Sequence, residues 1–83
     1  MTDLYIESNK VALQEDISRG QGEALASLLT IWNCENTQNI GSALQNNYNG
    51  IFSSTATTES IKNAMKNTIK NNQSVSASCQ TLI

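Results

Sequence analysis

One feature constrains this chain most: a helical stripe that keeps its phase for seven turns while crossing two glycines. Ile6, Leu13, Ile17, Ala24, Leu28 and Ile31 follow one another at gaps of 7, 4, 7, 4 and 3, the spacing that returns apolar side chains to one face of an α-helix. Gly20 falls on that stripe and Gly22 does not. Preserved phase favours one long or kinked helix over about residues 3–33. The opposing reading is a hairpin broken at the glycines: Ser18 and Gln21 resemble a capping box, and each glycine inside a helix costs about 1 kcal/mol relative to Ala.

Further along, "ENTQ" reads as a turn at residues 35–38 with Asn36 or Thr37 as N-cap. Ile40, Ala43, Leu44, Tyr48, Ile51 and Phe52 then mark the apolar face of a second helix. After the polar "SSTATT", Thr57 ahead of Glu59 starts a third, with Ile61, Ala64, Met65, Thr68 and Ile69 inward and Lys62, Lys66 and Lys70 on the outer face. "NNQS" ends it, and residues 75–83 add a last helical turn or an extended tail. Alternating strand patterns and internal repeats are missing, and no proline interrupts the helical patterns. The expected architecture is all-α, a single domain over residues 1–83. It is a small antiparallel helical bundle of three helices, or of four if the glycines break the first.

With 83 residues, such a bundle lies near the lower limit of what an apolar core stabilises unaided, so Cys34 and Cys79 matter. Neither sits in a CxxC pair or has a histidine to activate it, which argues against zinc or nucleophilic roles. Both follow helical segments that end on the same side of a three- or four-helix bundle, so a disulfide is expected; two buried free thiols are the alternative. Closing a loop of this length stabilises by roughly 4 kcal/mol in the chain-entropy view, and a bridge implies an oxidising compartment.

Net charge is −2 and unevenly spread. Residues 1–35 are acidic, residues 36–58 carry no charge, and the three lysines follow. A weak lysine strip without arginine or interleaved aromatics gives no reason to expect nucleic acid as a ligand. The longest apolar run, "ALASLLTIW", is about half of the roughly 20 residues a membrane span needs, so no transmembrane segment is expected. The first residues lack the pattern of a signal peptide.

Gly20 and Gly22 lack the incoming strand and the well-placed lysine of a phosphate loop and read as a site of close helix packing or a kink. Asn9, Asp16, Arg19 and Glu23 form the other candidate group. On a continuous helix Asn9, Asp16, Glu23 and Ser27 share one line beside the stripe, and Arg19 is spaced to pair with Glu15, Asp16 or Glu23. The group reads as a salt-bridged helix flank, or as a polar network that fixes helix packing. Without histidine or a third nearby carboxylate, no metal or cofactor is expected. Trp32 and Tyr48 read as core residues.

Asn9, "LQEDISRGQGEALASL" at 13–28, Cys34 and "ALQNNYNGIF" at 43–52 together resemble the C-terminal half of a family of small exported bacterial proteins, catalogued as a domain of unknown function, number three thousand and fifteen. The resemblance is best over residues 5–52 and most specific at Asp16, Gly20, Gln21, Gly22 and Glu23. It implies a periplasmic or otherwise exported protein and supplies no reaction and no catalytic residue. The combined expectation is a non-enzymatic binding or structural component of the bacterial envelope, whose partner is a protein or other envelope component. The alternatives are a cytoplasmic interaction protein of a phage or mobile element and, third, an enzyme using Asp16, Arg19 and Glu23 in a cleft with Trp32.

Overall fold

The computed structural model describes residues 2–54, 56–72 and 75–79. Among them the chain is all-helical: α1 (Thr2–Ser8), α2 (Lys10–Arg19), α3 (Glu23–Ile31), α4 (Thr37–Asn46), α5 (Tyr48–Ile51) and α6 (Thr58–Asn71), then a 3-10 turn at Ser76–Ser78. Residues 80–83, part of the tail expected after the third helix, lie outside the described residues.

The first stretch is not one helix. Asn9 separates α1 from α2 with φ −121° and ψ 23°. Its backbone N–H still donates to the Tyr5 carbonyl at 3.0 Å, and its side-chain amide donates to the same carbonyl at 2.9 Å, a local side-chain bond that competes with the regular ladder. At the glycines the chain turns back. Gly20 ends α2 in the left-handed region, φ 77°, its N–H on the Asp16 and Ile17 carbonyls, and Gly22 precedes α3 at φ 151°, ψ 166°. Reversal is fixed at the far end, where Trp32 Nε1 donates to Thr2 Oγ1 at 3.1 Å. The continuous helix expected over 3–33 is therefore corrected to a hairpin with a three-residue turn. Phase survives because three residues advance a helix by nearly one turn, so the apolar faces before and after the break stay in register. Ile6, Leu13, Ile17 and Leu28 are fully buried, joined by Leu25 and Leu29, whereas Ile31, expected on the stripe, is 38% exposed.

The remaining elements start near the expected places. Asn36 caps α4 with φ 57°, supplying a conformation rather than a side-chain bond, a role asparagine tolerates better than most residues. The second helix is interrupted at Asn47, giving α4 and α5. Thr57 opens α6 through a reciprocal capping box with Ser60, which satisfies two donors at the helix start. Ile61, Met65 and Ile69 are buried on its inner face. The outer lysine face is only partly solvated. Lys62 Nζ reaches Asp3 Oδ1 at 2.7 Å, and Lys66 lies 5.7 Å from the Trp32 ring centroid, so two of the three lysines tie α6 to the N-terminal half and Lys70 stays exposed.

Cys34 and Cys79 form a disulfide, 45 residues apart, reinforced by an isolated antiparallel bridge between the same two residues. Beside it the Glu35 N–H donates to the Ser78 carbonyl at 2.7 Å. The bridge fastens the residues after α6 to the end of α3, and Val75 and Cys79 close over the core.

Candidate functional site

The Gly20–Gln21–Gly22 turn is built around one carboxylate. Asp16 lies in the last turn of α2 and is 5% exposed, the one buried charged residue among those described. Its Oδ2 accepts from the Leu25 N–H at 3.1 Å, and its Oδ1 accepts from Arg19 at 2.8 Å. Leu25 is the third residue of α3, so Asp16 does from a distance what an N-cap side chain does locally: it satisfies a free helix-start N–H and places negative charge at the positive end of the helix dipole. Gly22 makes this geometry accessible. A Cβ there would sit 2.1–2.3 Å from the atoms of the Asp16 carboxyl group, in the volume that group occupies.

Gly20 has a different task. Its carbonyl oxygen lies where a Cβ on Gly41 of α4 would be, 2.1 Å away, so the end of α2 packs directly against the α4 backbone. Gln45 then donates from Nε2 to the Ser18 carbonyl at 3.0 Å, occupying an acceptor that the end of α2 leaves free. From the stripe alone, with Gly20 facing the core, Gly20→Leu is expected to cost more than Gly22→Ala. In the structure a Cβ on Gly20 meets the movable end of Gln45 at 3.0 Å, whereas one on Gly22 meets the Asp16 carboxyl group at 2.1 Å.

Above the turn, the hairpin encloses an open groove of about 690 Å³ lined by Tyr5, Asn9, Ala12, Asp16, Arg19, Glu23, Ala24 and Ser27. All four residues singled out as a polar group, Asn9, Asp16, Arg19 and Glu23, line it. They meet by reversal of the chain, not by lying along one helix. Arg19 is paired with Asp16, its side chain 62% exposed against 8% for its partner. Glu23 makes no ion pair among the described residues. Tyr5, which the sequence reading left out of the group, forms one wall and donates from its hydroxyl to the Ala24 carbonyl at 2.8 Å. Its position was available in the pattern: residues 5, 9, 12, 16 and 19 recur at steps of 4, 3, 4 and 3, one helical face. Trp32 does not line this groove; it is buried at the far end of α3 against Thr2 and Lys66. Tyr48 is half-buried, and its hydroxyl accepts from Gln14 Nε2 at 2.9 Å.

Charge elsewhere is local. The Lys62 ammonium, by hydrogen bonding, holds the Asp3 carboxyl below the ordinary aspartate range, and Asp3 in turn raises Lys62. Among the described residues no cluster of acidic or cysteine side chains is arranged to hold a metal ion, and no helix is long and apolar enough to cross a membrane.

A disulfide-closed helical fold with a polar groove at a Gly-Gln-Gly hairpin defines the class. The chain belongs to the family described as "Protein of unknown function (DUF3015)", whose model matches residues 1–79. The match thus runs beyond residues 5–52, through α6 to the second cysteine of the bridge. No curated protein and no solved structure matches the chain.

Proposed function

We propose that this is an exported, non-enzymatic binding protein of the bacterial envelope, held in its binding shape by the Cys34–Cys79 bridge. The observation that carries this reading is the bridge itself: it joins the end of α3 to the residues after α6, and such structural disulfides persist in oxidising compartments and are rare in reducing ones. Commitment of Asp16 supports a binding role over catalysis. Its two oxygens serve Leu25 and Arg19, so the best-placed carboxylate of the groove is already used to hold the fold. The partner is a soluble or envelope-attached molecule that enters the groove between α2 and α3.

The test is the intact mass of the protein isolated from its producing cells, alkylated before and after reduction. Both thiols are expected to become reactive only after reduction. Two alkylated cysteines without reduction would overturn export and return the protein to a reducing compartment.

A further inference from the structure

The hairpin groove carries charges that the fold itself leaves in an unusual state. Arg19 has five N–H donors in a rigid fork, and the bond described for them goes to Asp16. That carboxylate is anchored by Leu25 and is nearly dry, so it holds the guanidinium at the groove surface as a positioned, partly exposed cation. Glu23, at the first residue of α3, presents an exposed carboxylate to the same groove and pairs with no cation among the described residues. Asn9 spends its amide N–H on the Tyr5 carbonyl, which leaves its Oδ1 as an acceptor; Ser27 adds a hydroxyl.

These groups discriminate by sign. Asp16 and Glu23 against Arg19 leave the groove one negative charge in excess, which works against a simple anion. A simple cation could reach Glu23 but would also face Arg19. A ligand that carries both signs close together meets its opposite at each position, and complementary placement of this kind sets selectivity. We propose that the groove binds a compact zwitterion, an ammonium beside a carboxylate as in an α-amino acid, with the carboxylate on the Arg19 guanidinium and the ammonium on Glu23 across the hairpin turn. Arg19 suits the carboxylate because its planar fork matches two oxygens at once. Ala12 and Ala24 line the same groove with small side chains. The same pair of charges arises from a free amino acid or, set further apart, from the two termini of a dipeptide.

This rests on the reading of the protein as a binding module, and the test separates the two. The oxidised full-length protein, labelled with ¹⁵N, is titrated with alanine, dialanine, propionate and propylammonium. Saturable shifts are expected at the Arg19 side-chain Nε–H and the amides of Glu23, Ala24 and Ser27. The single-charge ligands should bind at least about tenfold more weakly, since each forgoes one charge-assisted contact. Arg19→Gln and Glu23→Gln should each weaken the zwitterion by a similar factor while the remaining spectrum stays folded. Stronger binding of alanine than dialanine assigns a free amino acid, and the reverse assigns a peptide. Linear, unsaturated shifts common to all four compounds, or binding that survives both substitutions, would overturn the assignment. A closed bridge with no titration removes only this inference; free native thiols with a normal titration remove only the export reading.

Discussion

Gly22→Ala tests the central piece of the fold. At φ 151°, ψ 166° the backbone lies in a region that is essentially restricted to glycine and costs other residues about 1–3 kcal/mol. The new methyl would also occupy the Asp16 carboxylate's place, 2.1 Å from its carbon. Moving that carboxylate away from the Leu25 N–H forfeits a hydrogen bond to a charged group, about 1.5–3 kcal/mol. Together these predict a loss of about 2.5–6 kcal/mol, a large share of the roughly 4–12 kcal/mol that a domain of this size holds. Urea unfolding with the disulfide intact reads the loss as a midpoint lowered by about 2.5–6 M, for an m value near 1 kcal/mol/M. Gly20→Ala should cost less, about 1–2 kcal/mol for a left-handed non-glycine residue, since Gln45 can move aside. The decisive comparison repeats Gly22→Ala in an Asp16→Ala background. With the carboxylate gone the methyl has space, so only the backbone strain should remain and the two substitutions should couple by about 1.5–3 kcal/mol. Strictly additive costs, or a Gly22→Ala protein as stable as Gly20→Ala, would refute the account of Asp16 as the cap of α3.

Three further outcomes follow from the packing. Replacing Cys34 and Cys79 together by serine should destabilise by roughly 4 kcal/mol, seen as a clearly lowered Tm in calorimetry; an unchanged Tm would mean that the bridge leaves the unfolded chain unconstrained. Gly41→Ala should cost about 1–3 kcal/mol as overpacking, because its Cβ meets the Gly20 backbone, while Gly50→Ala, which meets the Asn47 side chain, should be close to neutral in the same denaturation assay. The Asp3–Lys62 pair should be visible in stability against pH. Asp3 is lowered in the folded state, so its contribution is present above the ordinary aspartate value and lost as pH falls through the depressed one. Lys62 is raised, so its contribution is lost as pH rises through that raised value; Asp3→Asn should flatten both limbs.

How much of this was legible in the sequence depended on whether the signal was periodic or local. Cores of α2, α3, α4 and α6 followed from apolar spacing, and Thr57 announced α6 because a cap is a local device. The disulfide was legible because both cysteines follow helices and the chain holds no other thiol. The hairpin was not, since periodicity reports the angle of a residue about an axis and not the direction of travel along it. Three residues between Arg19 and Glu23 are close to one helical turn, so a chain that reverses and a chain that continues present the same apolar phase.

The same ambiguity explains why the groove residues were found for an incomplete reason. Asn9, Asp16 and Glu23 share a line on a continuous helix, and on the hairpin they converge on one groove from two helices. What separates the two arrangements is the burial of Asp16. A carboxylate on the flank of a continuous helix stays in water, where its bond to Arg19 contributes little. A carboxylate that caps the returning helix is dry, and it turns Arg19 from one member of a surface pair into a fixed group at a groove wall. The glycine after Gln21 is what permits that burial. The residue with no side chain at position 22 therefore decides both where the chain turns and which charges the groove presents.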